Sequence, residues 1–291
     1  MTETSVPAID PLLYRPMILR ALEEDLGLAG DVTTDSVVPA EARIEARLVA
    51  RQGGRIAGLA VALQVFRELA PEIAMEPLQG DGSDVEAGRT LAVLSGPARP
   101  ILTGERTALN ILARLSGIAT ATRHAVEAVA PYPTRVACTR KTTPGLRGLE
   151  KYAVRQGGGV NHRFGLHDAV LIKDNHIAAA GGLRRTVERA RAALGPLARI
   201  EVEVDTLDQL REAIAAGVDA VLLDNMTPAR LTEAVRLVDG RAVTEASGGI
   251  RPETVRDYAA TGVDLVSLGW LTHSAGSLDL GLDVTPGPAG R

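Results

Sequence analysis

The sequence predicts an α/β protein whose second half forms a closed or nearly closed β/α barrel. Three observations carry this. After residue 130 six short apolar runs recur: TRVACT, DAVLIK, RIEVEV, DAVLLD, RAVTEAS and DLVSLG. Between most of them lie helix-like stretches, GGLRRTVERARAAL, TLDQLREAIAAG, TPARLTEAVRLV and RPETVRDYAATG. Strands that look buried on both faces and alternate with helices form a parallel sheet, and six units in about 140 residues suit a barrel. Polar side chains also gather where each run ends, as at the active-site rim of a barrel. An open doubly wound sheet is the alternative; it ranks lower because no dinucleotide glycine fingerprint follows any strand.

The elements follow in order. DPLLYRPMILRALEEDLG places Leu12, Ile18, Leu19, Leu22 and Leu26 at roughly helical spacing. ARIEARLVARQGGRIAG alternates Ile44, Ala46, Leu48 and Ala50 against charged residues, a half-buried strand, and RTLAVLSGPARPIL is a second strand ending at Gly96-Pro97. TGERTALNILARLSGIATATRHAVEAVA reads as helix, as two helices meeting near Gly117, with Thr103 as cap and Arg106 three residues later. The barrel strands then end, in turn, in Thr139-Arg140-Lys141; Lys173-Asp174-Asn175; Glu201, Glu203 and Asp205; Asp224-Asn225; Glu245-Ala246-Ser247-Gly248-Gly249; and Ser267-Leu268-Gly269. The three alternating acids of the third strand share one face.

Bulk properties exclude several classes. Of 291 residues, 45% are hydrophobic and 23% charged, a normal globular composition long enough for a sizeable core. Aromatic residues are 2%, so the base-stacking platforms of single-strand nucleic-acid binders are not expected. The net charge of −4, without a polybasic tail, argues against nucleic-acid or membrane-surface partners. A single cysteine, Cys138, leaves no intrachain disulfide and no cysteine-based metal site. No apolar run approaches membrane-spanning length, and the first residues lack the regions of a signal peptide, so a cytoplasmic location is expected.

Charge defines the ligand. From Arg140 to Lys173 there are seven Lys and Arg against two acids, Glu150 and Asp168. Lys151 and Arg155, in LEKYAVRQ, are assigned to a solvated helix face. Arg140, Lys141, Arg163 and Lys173 lie instead at strand ends or in the glycine-rich loop RQGGGVNHRFG. Such cations suit a small molecule with several carboxylates or phosphates. The late SGG and SLG segments offer backbone N–H groups where barrels commonly bind phosphate. Glu203 and Asp224 among so many cations fit Mg²⁺, ribose hydroxyls or a developing cation. The residues alone therefore point to a polycarboxylate and a sugar phosphate.

ERTALNILARLSGIAT, TRKTTPGLRGLEKYAVRQGGGVNHR, LIKDNH, EVEVDTLDQL, LLDNM, EASGGI and the early GDVTTDSVVP resemble the quinolinate phosphoribosyltransferase family, over about residues 20–285. The resemblance implies an incomplete (open) α/β barrel of residues 116–270, packed with an N-terminal α/β sandwich domain of residues 1–115 that the C-terminal tail, 271–291, joins. It implies transfer of phosphoribose from phosphoribosyl pyrophosphate to quinolinate with decarboxylation, accompanied by Mg²⁺, in NAD biosynthesis. It places Arg140, His162, Arg163 and Lys173 on the quinolinate carboxylates, with Lys141 close by, and brings Arg106 from the partner subunit of a homodimer. Glu203 and Asp224 would face ribose, metal and the developing oxocarbenium. Ser247, Gly248 and Gly249, with Ser267 and Gly269, would cradle the 5′-phosphate. Trp270 and Gly276 depart from the family pattern, which expects a small residue and a proline there, and His167 has no assigned role. The rival readings are a Schiff-base aldolase using Lys173, a related protein of molybdenum operons, and a metabolite sensor.

Overall fold

A computed structural model describes residues 6–286; residues 1–5 of the N-terminal domain and 287–291 of the C-terminal tail lie outside the described part. The chain divides into two compact units. The first runs through Ala121 and includes Thr143–Gly158 and the segment from Ser274 on; the second comprises Thr122–Thr142 and Gly159–His273. The sequence borders at 115/116 and 270/271 kept residues 143–158 with the barrel, whereas the contacts group Thr143–Gly158 with the first unit.

In the first unit, helix α1 (Pro11–Leu26) starts where Asp10 Oδ1 accepts the Leu12 N–H at 2.9 Å, and buries Tyr14, Ile18 and Leu22. Helix α2 (Val32–Val37) is capped by Asp31, whose carboxylate accepts the Thr34 N–H at 2.9 Å. Strands β1 (Arg43–Ala50) and β2 (Gly54–Arg55) precede α3 (Leu59–Leu69), followed by β3 (Ala74–Pro77), β4 (Asp84–Val85) and β5 (Thr90–Pro97). An antiparallel sheet places β1 beside β5, β5 beside β3, and the C-terminal strand Leu280–Pro286 along the other edge of β1. The alternation read in β1 is real: Ala46, Leu48 and Ala50 are buried. Leu91 and Leu94 of β5 and the apolar face of α3, including Val61, Val65 and Phe66, complete this core.

The expected pair of helices is one 32-residue helix, α4 (Ala98–Val129), continuous through Gly117. Glycine at 117 answers a close backbone approach rather than a break. A Cβ there would lie 2.0 Å from the carbonyl oxygen of Gly276. Thr103 does not cap the helix, which begins five residues earlier at Ala98; its hydroxyl donates to Asp31 Oδ2 at 3.0 Å.

The second unit holds six parallel strands. Strand β6 (Arg135–Ala137) is followed by α5 (Arg147–Gln156) of the first unit, then β7 (Val170–Ile172), α6 (Asp174–Ala180), α7 (Leu183–Ala193), β8 (Ile200–Val204), α8 (Leu207–Ala215), β9 (Ala220–Asp224), α9 (Pro228–Val238), β10 (Val243–Ser247), α10 (Val255–Ala259) and β11 (Leu265–Ser267). Helix α11 (Trp270–His273) closes this unit, and β12 (Leu280–Pro286) is the strand already placed beside β1. The strand order is β6-β11-β10-β9-β8-β7. In a closed barrel β6 would pair with β7 as well as β11. Here β6 and β7 are the two edges, so the barrel is open between them, not closed. Beside β6, the glycine-rich loop sets Val160 in a parallel bridge with Ala137. The order is also not that of a doubly wound sheet, which reverses at a central switch point.

Lys151 is not on a solvated face. It is 1% exposed, on the side of α5 that also buries Leu149, Val154 and Glu150, while Arg155 is exposed as expected. Glu150 accepts from Arg114 Nη2 at 2.9 Å and from the Thr143 N–H at 3.0 Å, which meets the requirement that a buried charge be paired.

Candidate active site

The rim of the open barrel is built by the residues that follow each strand. After β6 the chain turns at Thr139, whose hydroxyl accepts the Lys141 N–H at 3.0 Å. The stem of Lys141 then passes Gly269, where a Cβ would stand 3.0 Å from its Cδ. Arg140 and Arg163 lie within electrostatic reach of one another. Burial, and then the charge of Arg140, hold the Arg163 guanidinium below its ordinary pKa. The buried Nε atoms of both arginines have no hydrogen-bond partner among the described residues. Asp168, the acid nearest in sequence, is turned to the main chain: it accepts the Phe164 and Gly165 N–H groups at 2.6 and 2.8 Å. Arg163 is anchored by Nη1 on the Ala169 carbonyl at 3.1 Å.

Lys173 follows β7 directly and begins α6, a short helix that the apolar pattern of DNHIAAA did not reveal. Its N–H donates to His176 Nδ1 at 2.9 Å, and its ammonium is paired with the Glu203 carboxylate. Strand β8 buries Ile200, Val202 and Val204 and turns Glu201 and Glu203 to the other face, as the alternation requires. Asp224 ends β9. Burial raises its pKa, and Glu203 and Asp205 raise it further, while Lys173 and Lys141 act against them. Two lysines and three acids therefore share one electrostatic field. An oxygen-rich pair, Glu203 and Asp224, that suffers its own repulsion is a donor set suited to a hard divalent cation.

The loop after β10 lies against the end of β9. Asn225 has φ of 53° and donates its N–H to the Ser247 carbonyl at 2.9 Å; its Nδ2 donates to Asp224 Oδ2 at 2.6 Å. Gly248 and Gly249 follow with φ of 98° and 63°. Consecutive residues in such conformations turn backbone N–H groups into an anion-binding concavity.

Two expected ligand contacts are differently arranged. Ser267 is 4% exposed and its hydroxyl donates to Glu245 Oε1 at 2.6 Å, so the side chain does not line a phosphate cradle. His162 is engaged on both nitrogens. Nδ1 accepts the Arg163 N–H at 2.7 Å, and Nε2 lies 3.0 Å from Glu201 Oε2 and 3.4 Å from Glu245 Oε2. Glu245, buried beside a second acid, is pushed up to about 7 by burial and then by Glu201, against the His162 ring and the Ser267 hydroxyl. This Ser267–Glu245–Glu201–His162 group escaped the sequence reading, although an acid inside the strand VTEAS, ahead of the rim, is a visible signal. Trp270 buries its indole Nε1 without a partner among the described residues.

Arg106 lies in the first unit, exposed on α4, and has no ion-pair partner among the described residues, Glu105 included. No helix among the described residues is long and apolar enough to cross a membrane.

Known proteins are similar over nearly the whole chain. Residues 31–116 match the family model "Quinolinate phosphoribosyl transferase, N-terminal domain", and residues 118–283 match the model of the C-terminal domain. The probable nicotinate-nucleotide pyrophosphorylase [carboxylating] of Bacillus subtilis is 52% identical over 205 residues, 70% of this chain and 71% of that protein. The nicotinate-nucleotide pyrophosphorylase [carboxylating] of Mycobacterium leprae is 46% identical over 275 residues, 93% of this chain and 96% of that protein. The crystal structure of NadC from Streptococcus pyogenes superposes with a TM-score of 0.93 at 40% identity, covering 96% of this chain and 99% of that one.

Proposed function

The chain belongs to the quinolinate phosphoribosyl transferase family, and on that premise we propose how its own residues carry the family's reaction. The enzyme is a pentosyltransferase: it joins quinolinate to phosphoribosyl pyrophosphate and releases pyrophosphate and CO₂, giving nicotinate mononucleotide for NAD synthesis. The observation that carries the assignment of residues is the mutual repulsion of Arg140 and Arg163, whose buried Nε atoms lack partners among the described residues while the Arg163 pKa is held down by burial and by Arg140. Two guanidiniums that repel one another more than Glu201 and Asp168 offset are matched by a ligand that brings two carboxylates.

In this reading Arg140 and Arg163 grip the dicarboxylate, and Lys173 and Lys141 stand between it and the acids. The pyridine nitrogen attacks the anomeric carbon as its bond to pyrophosphate breaks. Positive charge builds at that carbon, where Glu203 and Asp224 stabilise it. The product is a pyridinium; when the C2 carboxylate leaves as CO₂, the ring takes up the bonding electron pair and C2 then accepts a proton. Mg²⁺, held by Glu203 and Asp224 or carried by the pyrophosphate, would neutralise the leaving group. Ser247, Gly248 and Gly249 offer main-chain N–H groups to the 5′-phosphate. Lys173 is engaged by Glu203, which suits anion binding; a Schiff-base lysine has to present a free amine.

The direct test is incubation with quinolinate, phosphoribosyl pyrophosphate and Mg²⁺, followed for nicotinate mononucleotide and CO₂. Nicotinate in place of quinolinate leaves part of the cation cluster unpaired and is expected to be used at least about a hundredfold less well. Equal turnover of the two would refute the assignment.

Arg106, exposed and without an ion-pair partner among the described residues, supports a further element, a homodimer in which Arg106 serves the neighbouring subunit's site. Arg106→Ala and Lys173→Ala are each expected to be nearly inactive. In a mixed dimer one site receives both defects and the other neither. Random exchange makes about half the dimers mixed, so about a quarter of wild-type activity returns. If exchange is demonstrated and no activity returns, Arg106 acts within its own chain or not at all.

A further inference from the structure

Behind the cation cluster lies a buried set of groups that the reaction as described does not use. Glu245 sits inside β10, 2% exposed. Its Oε1 takes the Ser267 hydroxyl at 2.6 Å from the neighbouring strand β11, which fixes the carboxyl's rotation. Its other oxygen lies 3.4 Å from His162 Nε2, and Glu201 Oε2 lies 3.0 Å from the same nitrogen. On the far side of the ring Nδ1 accepts the N–H of Arg163 at 2.7 Å. A ring nitrogen that accepts an N–H carries a lone pair, so the imidazole is neutral and its proton is on Nε2, pointing into the acids.

We propose that Glu245, oriented by Ser267 and assisted by Glu201, is a positioning residue for quinolinate: it holds His162 as the Nε2–H tautomer, and the ring in turn holds the main chain that presents Arg163. The chain of contacts runs from the barrel interior to the rim without a gap. It begins on strands β10 and β11 and ends in the loop that follows Val160, whose main chain is itself held to β6 by Val160 N–H on the Val136 carbonyl at 2.8 Å. With the Arg163 N–H held by the ring and Nη1 by the Ala169 carbonyl, the guanidinium is fixed at both ends before a ligand arrives. Arg163 is thus preorganised, which removes part of the ordering cost from binding. Without the acids nothing selects which ring nitrogen carries the proton. The other tautomer would point an N–H at the Arg163 N–H and expel it. The same three side chains are close enough to surround a cation, but the 3.0 Å contact already satisfies the imidazole proton.

The proposal rests on the functional reading for its ligand, and the test separates the two. The five histidines are labelled with ¹⁵N, and His162 is assigned by its loss in His162→Asn. Wild type is expected to show Nδ1 as an unprotonated and Nε2 as a protonated nitrogen. Glu245→Ala and the milder Ser267→Ala should each shift this pattern towards mixed tautomers. Both should raise KM for quinolinate about tenfold, as for loss of a hydrogen bond to a charged group. The KM for phosphoribosyl pyrophosphate and kcat should stay within about twofold. If Ser267→Ala folds and raises KM for phosphoribosyl pyrophosphate instead, the serine faces the phosphate and the proposal is wrong. Equal rises in both KM values, or an unchanged His162 pattern with unchanged quinolinate KM, also overturn it. A wild type that does not use quinolinate would refute the function, and the nitrogen spectra would still decide the positioning role.

Discussion

Substituting Gly248 by alanine tests the geometry that joins the phosphate loop to the acids. Gly248 has φ of 98°, and a Cβ there would lie 2.2 Å from Asn225 Oδ1 and 2.8 Å from Asn225 N. The left-handed backbone costs an L-residue about 1–2 kcal/mol. The side-chain oxygen cannot simply swing aside, because the Asn225 amide is tied through Nδ2 to Asp224 at 2.6 Å. Nor can the Asn225 nitrogen, which donates to the Ser247 carbonyl at 2.9 Å. Relieving the contacts to ordinary separation requires a relative shift of about 0.6 Å at the Asn225 nitrogen and about 1.2 Å at Oδ1, an overpacking that costs about 1–3 kcal/mol. The sum is about 2–5 kcal/mol of stability. The displaced Asn225 also moves Asp224, so KM for phosphoribosyl pyrophosphate should rise roughly tenfold while KM for quinolinate changes little. Gly249 is the internal control. Its φ is 63°, and a Cβ there would meet nothing within 4 Å, so Gly249→Ala should lose only about 1–2 kcal/mol. Urea unfolding and steady-state kinetics read both effects. Equal losses for the two variants would show that the Asn225 contact does not constrain the loop.

Arg163→Ala should raise KM for quinolinate by about a hundredfold and narrow the preference for quinolinate over nicotinate, measured as a ratio of kcat/KM values. An unchanged ratio would misplace the dicarboxylate. Glu245, raised to about 7 from 4.5, makes stability depend on pH. The folded state holds that proton more tightly, so the contribution is full below about pH 4.5, falls as pH rises, and is gone above about pH 7. Urea melts at about pH 5 and about pH 8 should differ by up to about 3 kcal/mol more in wild type than in Glu245→Gln; no difference between the two proteins refutes it. Gly117→Ala should destabilise despite alanine's better helix propensity, because the added Cβ would lie 2.0 Å from the Gly276 carbonyl. A melting temperature at or above wild type would show that the segment at Gly276 yields.

The six barrel strands were legible because each is a short apolar run, and such runs can be buried on both faces only in a sheet covered by helices. What the runs could not reveal is closure. The gap between β6 and β7 depends on which strand edges meet, and periodicity within a strand carries no information about that. Helix α4 was read as two because a mid-helix glycine usually weakens a helix. At Gly117 the helix-weakening residue is required by another backbone passing close to it, a tertiary fact with no local signature. Lys151 was read as solvated for a similar reason: charge predicts exposure until a partner is available. Arg140, Lys141, Arg163, Lys173, Glu203 and Asp224 were singled out from position and charge, at the ends of barrel strands or in the glycine-rich loop, and the variants above test which of them touch substrate. Ser267 carried the same signal but turns inward to Glu245, one step below the rim.

That inward layer bears on why acids and cations coexist in so small a volume. Arg140 and Arg163 repel one another: burial first, and then the charge of Arg140, hold the Arg163 guanidinium below its ordinary pKa. Glu201, one alternation below Glu203 on β8, contributes the opposite sign to Arg163. Glu203 does the same for Lys173 through a direct pair. The two acids thus share a strand face but serve different partners: Glu201 supports the cations from beneath through His162, and Glu203 lies among Lys173 and Asp224. On the assignment proposed above, a dicarboxylate would replace part of this internal compensation, and Lys173 would leave Glu203 when that anion takes it. Binding of the dicarboxylate would then free Glu203 for the ribose side of the reaction, coupling the two halves of the site. That coupling is reciprocal: if it operates, quinolinate tightens phosphoribosyl pyrophosphate binding by the same factor as the reverse. Glu203→Gln should abolish the coupling and tighten binary quinolinate binding, because Lys173 then has no carboxylate pair to give up. Calorimetric titration of each ligand, alone and with the other present, measures the factor, and equal affinities in wild type in both conditions would refute it.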